Sequence, residues 1–244
     1  MCFLEDYLKK RFCNSIIIAN EPNGTNINQE CGSLYPDKLR KATLDNECEI
    51  GFSFDGDGDR IIVCDKFGKI YNGDMLLAFV ALAYKREAKL KENNVICTKI
   101  ANPGIMNYLK KKGINVKAVD VGDYNITKEI NDIGGIGGEK SGHLLIEPKL
   151  CYSDAIVSAL IILRLYQKHG FKIMDNIVPY YEKSENAYDI KNPIAVEKRL
   201  SDIVKNGIVI IRKSGTENLY RILLMSKVEK EIEEASKALK EIIE

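Results

Sequence analysis

The sequence has almost no net charge. Its 36 Lys and Arg stand against 35 Asp and Glu, leaving +1 over 244 residues. No global field therefore favours nucleic acid or an anionic membrane, and any anion must be held by a local cluster. Histidine occurs only twice, and the seven cysteines (at 2, 13, 31, 48, 64, 97 and 151) include no Cys-x-x-Cys pair. That argues against a zinc framework, and scattered thiols in odd number suit a reducing cytoplasm. No apolar run approaches the roughly 20 residues that span a bilayer. The opening stretch, Met1 to Arg11, mixes charges into its apolar residues and has no signal-peptide core. The expectation is a cytoplasmic protein with no nucleic-acid and no membrane partner. No internal repeat or low-complexity stretch is present. The 45% hydrophobic and 29% charged residues form an ordinary soluble balance, enough for one large domain or two to three small ones.

Helical spacing of Phe3, Leu4, Tyr7, Leu8 and Phe12 predicts an opening helix. Residues 15–19 read as a short buried strand, 37–44 as a helix and 50–54 as a strand. This alternation points to a parallel sheet. A helix with no strand before it fits either a fold that simply starts with a helix or a truncated first unit, and truncation is the expectation. Residues 61–64 and 69–71 read as a hairpin, and Asp74 is expected to cap a helix over 75–89. A second α/β rhythm follows. Its strands are expected at 95–97, 116–119 and 144–146. Its helices are expected at 103–112 (capped by Asn102), 124–132 and 153–169. Strands at 187–190, 208–212 and 219–226, with helices at 193–205 and 228–244, then make an α+β unit. The expected fold class is α/β: a truncated domain over 1–70, a second α/β domain over 71–177 and a small α+β domain over 178–244.

Three loops carry candidate chemistry. In Phe54-Asp55-Gly56-Asp57-Gly58-Asp59-Arg60, carboxylates alternate with glycines directly after an apolar strand. Open α/β sheets place ligands at the carboxyl ends of parallel strands. Carboxylates at every second residue can converge on one hard cation, here Mg²⁺, and their mutual repulsion calls for one. An EF-hand needs glycine at the sixth and glutamate at the twelfth position. Arg60 and Lys66 stand there. A phosphatase of the haloacid-dehalogenase type, with Asp55 as nucleophile and Asp57 as acid, stays open, as does an acidic surface turn.

The second loop, Gly137-Gly138-Glu139-Lys140-Ser141-Gly142-His143, offers a carboxylate, a hydroxyl and an imidazole that could read sugar hydroxyls. It lacks the Gly-x-Ser-x-Gly elbow of a serine nucleophile. The third, Arg212-Lys213-Ser214-Gly215-Thr216-Glu217-Asn218 with Arg221 beyond it, has the donors a phosphate dianion requires. It is not a Walker loop, and a solvated basic turn stays open.

In this order, the three loops resemble those of the α-D-phosphohexomutases over nearly the whole chain. The stretch from Asn20 to Asn28, with Cys31-Gly32-Ser33, is similar to the phosphoglucosamine mutase branch, which interconverts glucosamine 6-phosphate and glucosamine 1-phosphate. The resemblance implies an isomerase of four domains whose first carries a phosphoserine in a Ser-His-Asn-Pro-like loop. No such motif occurs here, so the expectation is a C-terminal fragment, inactive alone, whose missing nucleophile could come from a separately encoded N-terminal domain. It implies Asp55, Asp57 and Asp59 as Mg²⁺ ligands. It also implies Arg60, Glu139, Ser141, His143, Arg212, Ser214, Gly215, Thr216 and Arg221 as residues that bind a hexose or hexosamine phosphate. Other readings are a non-catalytic sugar-phosphate-binding remnant, a phosphomannomutase or phosphoglucomutase fragment, or a Mg²⁺-dependent phosphatase. The chain departs from the family pattern at Asn218, where proline is usual. It departs again at Gly122-Asp123-Tyr124-Asn125, where an arginine is usual, and at Cys151-Tyr152-Ser153-Asp154-Ala155.

Overall fold

A computed structural model describes residues 10, 14–147, 152–188, 190–214 and 217–243. The expected opening helix lies, but for Lys10, outside them. Helix α1 (Pro36–Asp45) precedes an antiparallel sheet of β1 (Ile50–Phe54), β2 (Ile61–Asp65) and β3 (Ile70–Tyr71). Next come α2 (Gly73–Arg86), β4 (Asn94–Thr98), α3 (Pro103–Lys111), β5 (Asn115–Val119), α4 (Asp123–Ile133), β6 (Ile136–Gly138), β7 (Leu144–Leu145) and α5 (Ala155–His169). Their sheet has the order β5-β4-β6-β7, with β4 parallel to β5 and β6, and β7 antiparallel to β6. The last unit orders β8 (Tyr181–Ala187), β10 (Tyr220–Ser226) and β9 (Gly207–Lys213) as an antiparallel sheet. Helices α6 (Pro193–Ile203) and α7 (Glu229–Ile243) belong to the same unit.

Helix α2 is the centre of the largest core. Every residue from Met75 to Tyr84 is buried, which suits a helix enclosed on all sides rather than one with a single apolar stripe. Ile61, Val63 and Tyr71 of the first sheet, Val95 and Ile136 of the second, and Ile162 and Leu165 of α5 share one apolar cluster with it. This cluster is continuous across residue 70. Phe171 stacks on Tyr71 with ring centroids 4.1 Å apart and meets Phe79 edge-on at 4.8 Å. The last unit has its own core, with Leu200, Ile222, Leu224 and Leu239 at its heart. No helix among the described residues is long and apolar enough to cross a membrane.

Several local expectations are corrected. β1 is not parallel to its neighbour: it pairs antiparallel with β2, Phe54 opposite Ile61. Only six residues separate the two strands, and a parallel return needs a crossover of a dozen or more. Residues 15–19 form no strand; Ile16 and Ile18 are 52% and 45% exposed, and no described strand pairs with them. Asp74 does not cap α2. Asn72 does, accepting the Met75 N–H at 3.2 Å, while Asp74 is fully buried. The glycine-rich passage contains an unexpected strand, β6. Bare glycines are needed there because a Cβ at Gly137 would collide with Ile126 of α4. The strand expected at 187–190 lies instead at Tyr181–Ala187, an edge strand whose polar residues hide its period.

Candidate functional site

The aspartate loop is the turn between β1 and β2. Its hairpin sets Asp55, Asp57 and Asp59 so that one ligand atom from each lies within 4.8 Å of the others. The turn is anchored from inside: Asp55 Oδ1 accepts the Arg60 N–H at 3.0 Å. Arg60 Nε lies 3.4 Å from Asp55 Oδ2 and 3.8 Å from Asp59 Oδ1. One guanidinium thus faces two of three clustered carboxylates. Asp59 Oδ1 is buried and has no hydrogen-bond partner among the described residues. A desolvated carboxylate oxygen without a donor is costly unless a cation takes its lone pairs. Three hard carboxylate oxygens and one such orphan fit a hard divalent ion such as Mg²⁺.

The glutamate–serine–histidine loop closes onto this turn. Gly142, at φ +105°, lies so close to the Ile61 backbone that a Cβ would collide with it. The Ile61 N–H donates to Gly142 O at 3.2 Å, and Arg60 forms a β-bridge with His143. His143 then spans the two loops. Its Nδ1 lies 3.1 Å from Glu139 Oε2 and its Nε2 lies 2.6 Å from Asp59 Oδ2. Arg60 Nε is also 3.1 Å from Nε2, but that nitrogen cannot donate to Asp59 and accept from Arg60 together. The shorter contact, to a carboxylate, is the one that carries the proton. The bond to Glu139 pushes the His143 pKa up against the effect of burial, and the Asp59 charge adds to the rise.

Glu139 is itself almost fully engaged. Oε1 accepts the Gly122 N–H at 2.8 Å, and Oε2 accepts the Ser141 hydroxyl at 3.3 Å as well as His143. Burial alone would raise its pKa, but these donors outweigh burial and hold the carboxyl below its ordinary value.

The arginine loop forms a separate cluster at the end of β9 and β10. Arg212 lies directly opposite Arg221 in the antiparallel register. Arg221 is paired with Glu217 at 2.8 Å, while Arg212 has no carboxylate partner among the described residues. Like charges directly opposite one another destabilise a sheet pair, so an anion would be favourable here. Ser214 N–H donates to Leu219 O at 2.8 Å, shaping the turn. Gly215 and Thr216 lie outside the described residues. No hydrogen bond or ion pair among the described residues joins this cluster to the aspartate loop.

The phosphoglucomutase/phosphomannomutase alpha/beta/alpha domain III matches residues 72–183. A phosphoglucosamine mutase of Campylobacter hominis is 38% identical over 234 residues, covering 91% of this chain and 52% of that protein. The chain is thus similar to phosphohexomutases, over nine-tenths of its own length. A phosphoglucosamine mutase of Clostridium kluyveri is 34% identical over 93% of this chain and 54% of its own length. The chain therefore spans about half the length of the curated phosphohexomutases it matches. Among solved structures, an N-acetylglucosamine-phosphate mutase in its product complex superposes with TM-score 0.69 at 21% identity, covering 89% of this chain and 53% of that one. The Aspergillus fumigatus N-acetylphosphoglucosamine mutase, solved with GlcNAc-6P and magnesium, gives TM-score 0.69 at 17% identity over 88% of this chain and 57% of that one. At these identities the superpositions speak to the fold.

Two supports of this candidate site were not foreseen. Ser153 Oγ donates to Asp59 O at 2.6 Å and accepts the Leu144 N–H at 3.0 Å. The Ala155 N–H donates to Gly58 O at 2.9 Å. The first turn of α5 thus ties the aspartate loop to β7. The helix expected from 153 starts at Ala155, and Asp154 caps it by accepting the Val157 N–H at 2.9 Å. The contact of Ser153 with a loop 94 residues away leaves no local trace in the sequence.

Proposed function

We propose that the chain supplies the metal-binding and sugar-phosphate-binding parts of a phosphoglucosamine mutase, converting glucosamine 6-phosphate to glucosamine 1-phosphate in the cytoplasm. In this reading residues 1–70 bring the metal loop, 71–177 the sugar loop and 178–244 the phosphate loop. The observation that carries it is the three-carboxylate turn with its orphaned Asp59 oxygen, bonded through His143 to Glu139. It occurs in a chain 38% identical to a phosphoglucosamine mutase.

Asp55, Asp57 and Asp59 would hold Mg²⁺, which when bound stabilises charge on a transferring phosphoryl group. His143 and Arg60 orient those carboxylates. Glu139 and Ser141 would meet sugar hydroxyls, for which Glu139 must exchange part of its internal bonding. Arg212, Ser214, Gly215, Thr216 and Arg221 would grip the phosphate that does not react.

The reaction breaks a P–O bond to a phosphoserine and forms one to a sugar hydroxyl. The second phosphate of the bisphosphate intermediate then returns to the serine. We assign that serine to a separately supplied phosphoserine-bearing domain, since no Ser-His-Asn-Pro-like segment occurs in these 244 residues. The test supplies purified chain with glucosamine 6-phosphate, Mg²⁺ and a bisphosphate activator, with and without a phosphoserine-bearing N-terminal domain. Turnover that requires the added domain is expected. Steady turnover by the chain alone, with host mutase excluded, would overturn the assignment.

A further inference from the structure

Lys140 sits between Glu139 and Ser141 but takes no part in their hydrogen bonds. Its Nζ lies 2.8 Å from Glu182 Oε1 on β8, with the two side chains only 23% and 26% exposed. Glu182 Oε2 accepts from Asn102 Nδ2 at 3.2 Å. Asn102, 2% exposed, has every side-chain position used. Its Nδ2 also donates to Tyr180 O at 3.0 Å. Its Oδ1 accepts the Tyr180 N–H at 2.9 Å and the Gly104 N–H at 3.0 Å. One side-chain amide thus pairs with both backbone groups of Tyr180, as a neighbouring strand would. The Asn102 N–H in turn donates to the buried Asp74 Oδ2 at 2.8 Å. Gly104 lets the 178–180 segment lie on the first turn of α3, since a Cβ there would collide with Val178 O. On the other side, Lys140 O accepts the Gly73 N–H at 3.1 Å. The sugar loop, the starts of α2 and α3, and the entry into β8 therefore meet in one bonded junction.

The sheet that follows can carry a position over distance. Asn186 on β8 is opposite Arg221 on β10, and Arg221 is opposite Arg212 on β9. Glu182 is four residues from Asn186, about 13 Å along the strand. A fully registered antiparallel sheet is stiff along its strands, so an anchor at Glu182 sets where the two arginines stand. A surface pair adds little, but this pair is mostly buried and shares its carboxylate with an amide that is wholly engaged.

We infer that Lys140, Glu182 and Asn102 form a brace that fixes the spacing between the sugar loop and the phosphate loop, with Glu182 a positioning residue for binding a hexosamine phosphate at both ends. This rests on the proposed function, in which those loops hold one ligand. Two half-sites at fixed separation bind a two-ended ligand more tightly than either end alone, and loosening the separation removes that gain without altering either half-site.

The test is a double-mutant cycle of Lys140→Met and Glu182→Gln in the full chain, by calorimetry. Glu182→Gln should weaken glucosamine 6-phosphate binding about tenfold, with inorganic phosphate and Mg²⁺ affinities unchanged within about twofold. The double variant should bind no worse than the single, because both changes break one link. Equal loss of inorganic phosphate affinity, additive losses, or no loss would overturn the brace. A wild-type chain that binds no glucosamine 6-phosphate would sink the proposed function instead. Amide exchange then decides the brace by itself. Glu182→Gln should speed exchange at both Tyr180 and Gly73, on opposite sides of the junction, and unchanged rates at either would overturn it.

Discussion

His143 Nε2 lies 2.6 Å from Asp59 Oδ2 although 84 residues separate them. With Nδ1 held by Glu139, the imidazole fixes the direction in which Asp59 presents its other oxygen, which accepts no hydrogen bond among the described residues. Groups that orient a metal ligand are worth about 10- to 100-fold in metal affinity. His143→Ala should raise the Mg²⁺ dissociation constant by that factor in titration calorimetry. An unchanged constant would mean that Asp59 needs no such support.

Asp57 is the exposed member of the carboxylate triad. Asp57→Ala should leave stability without Mg²⁺ within about 0.5 kcal/mol of wild type, as for an ordinary surface change. The wild-type chain should gain about 2.7 kcal/mol at a Mg²⁺ concentration 100 times its dissociation constant. The variant should gain almost none at the same concentration. Denaturant melts with and without Mg²⁺ check both statements, and an equal gain in the variant would remove Asp57 from the site.

Arg212 stands directly opposite Arg221 and has no described carboxylate of its own. Arg212→Lys keeps the charge but loses the planar fork, and should weaken sugar-phosphate binding by about 1–2 kcal/mol. Arg212→Gln should weaken it further while raising the stability of the unliganded chain by a few tenths of a kcal/mol, roughly a relieved cross-strand repulsion. Opposite signs for affinity and stability are the signature. A variant that loses both would mark Arg212 as a structural residue.

Burial pushes the Asp74 pKa up to about 7; Glu182 and Glu139 reinforce the rise, while the Asn102 N–H and Lys140 oppose it. The folded chain therefore holds this proton more tightly than the unfolded chain. Both states are protonated well below pH 4, so no cost appears there. Stability then falls as pH rises from about 4 to about 7, by at most ~1.4 kcal/mol per pH unit, and is level above. Asp74→Asn should flatten that slope in urea melts taken across the range. A slope unchanged in the variant would assign it to other groups.

The sequence by itself determined the local elements with a strong period or an explicit cap. Helix α3 begins at the expected Asn102-Pro103, and β1 spans the expected five residues. Apolar spacing and capping are short-range properties, so they survive in a linear reading. The grouping of Asp55, Asp57 and Asp59 was legible for the same reason, since alternation with glycine confines them to one turn. Long-range pairing was not legible. Nothing local marks Asp74 as a buried group rather than a cap, or Tyr181–Ala187 as an edge strand with polar residues, whereas the six-residue gap after β1 was a local mark of its antiparallel pairing. Only the tertiary structure decided that His143 joins Asp59 to Glu139, that Ser153 supports Asp59, and that Lys140 reaches Glu182. Each of these contacts depends on where whole elements pack. Packing is settled by the enclosure of α2 between sheets, a property of the summed apolar surface that no single stretch of the chain contains.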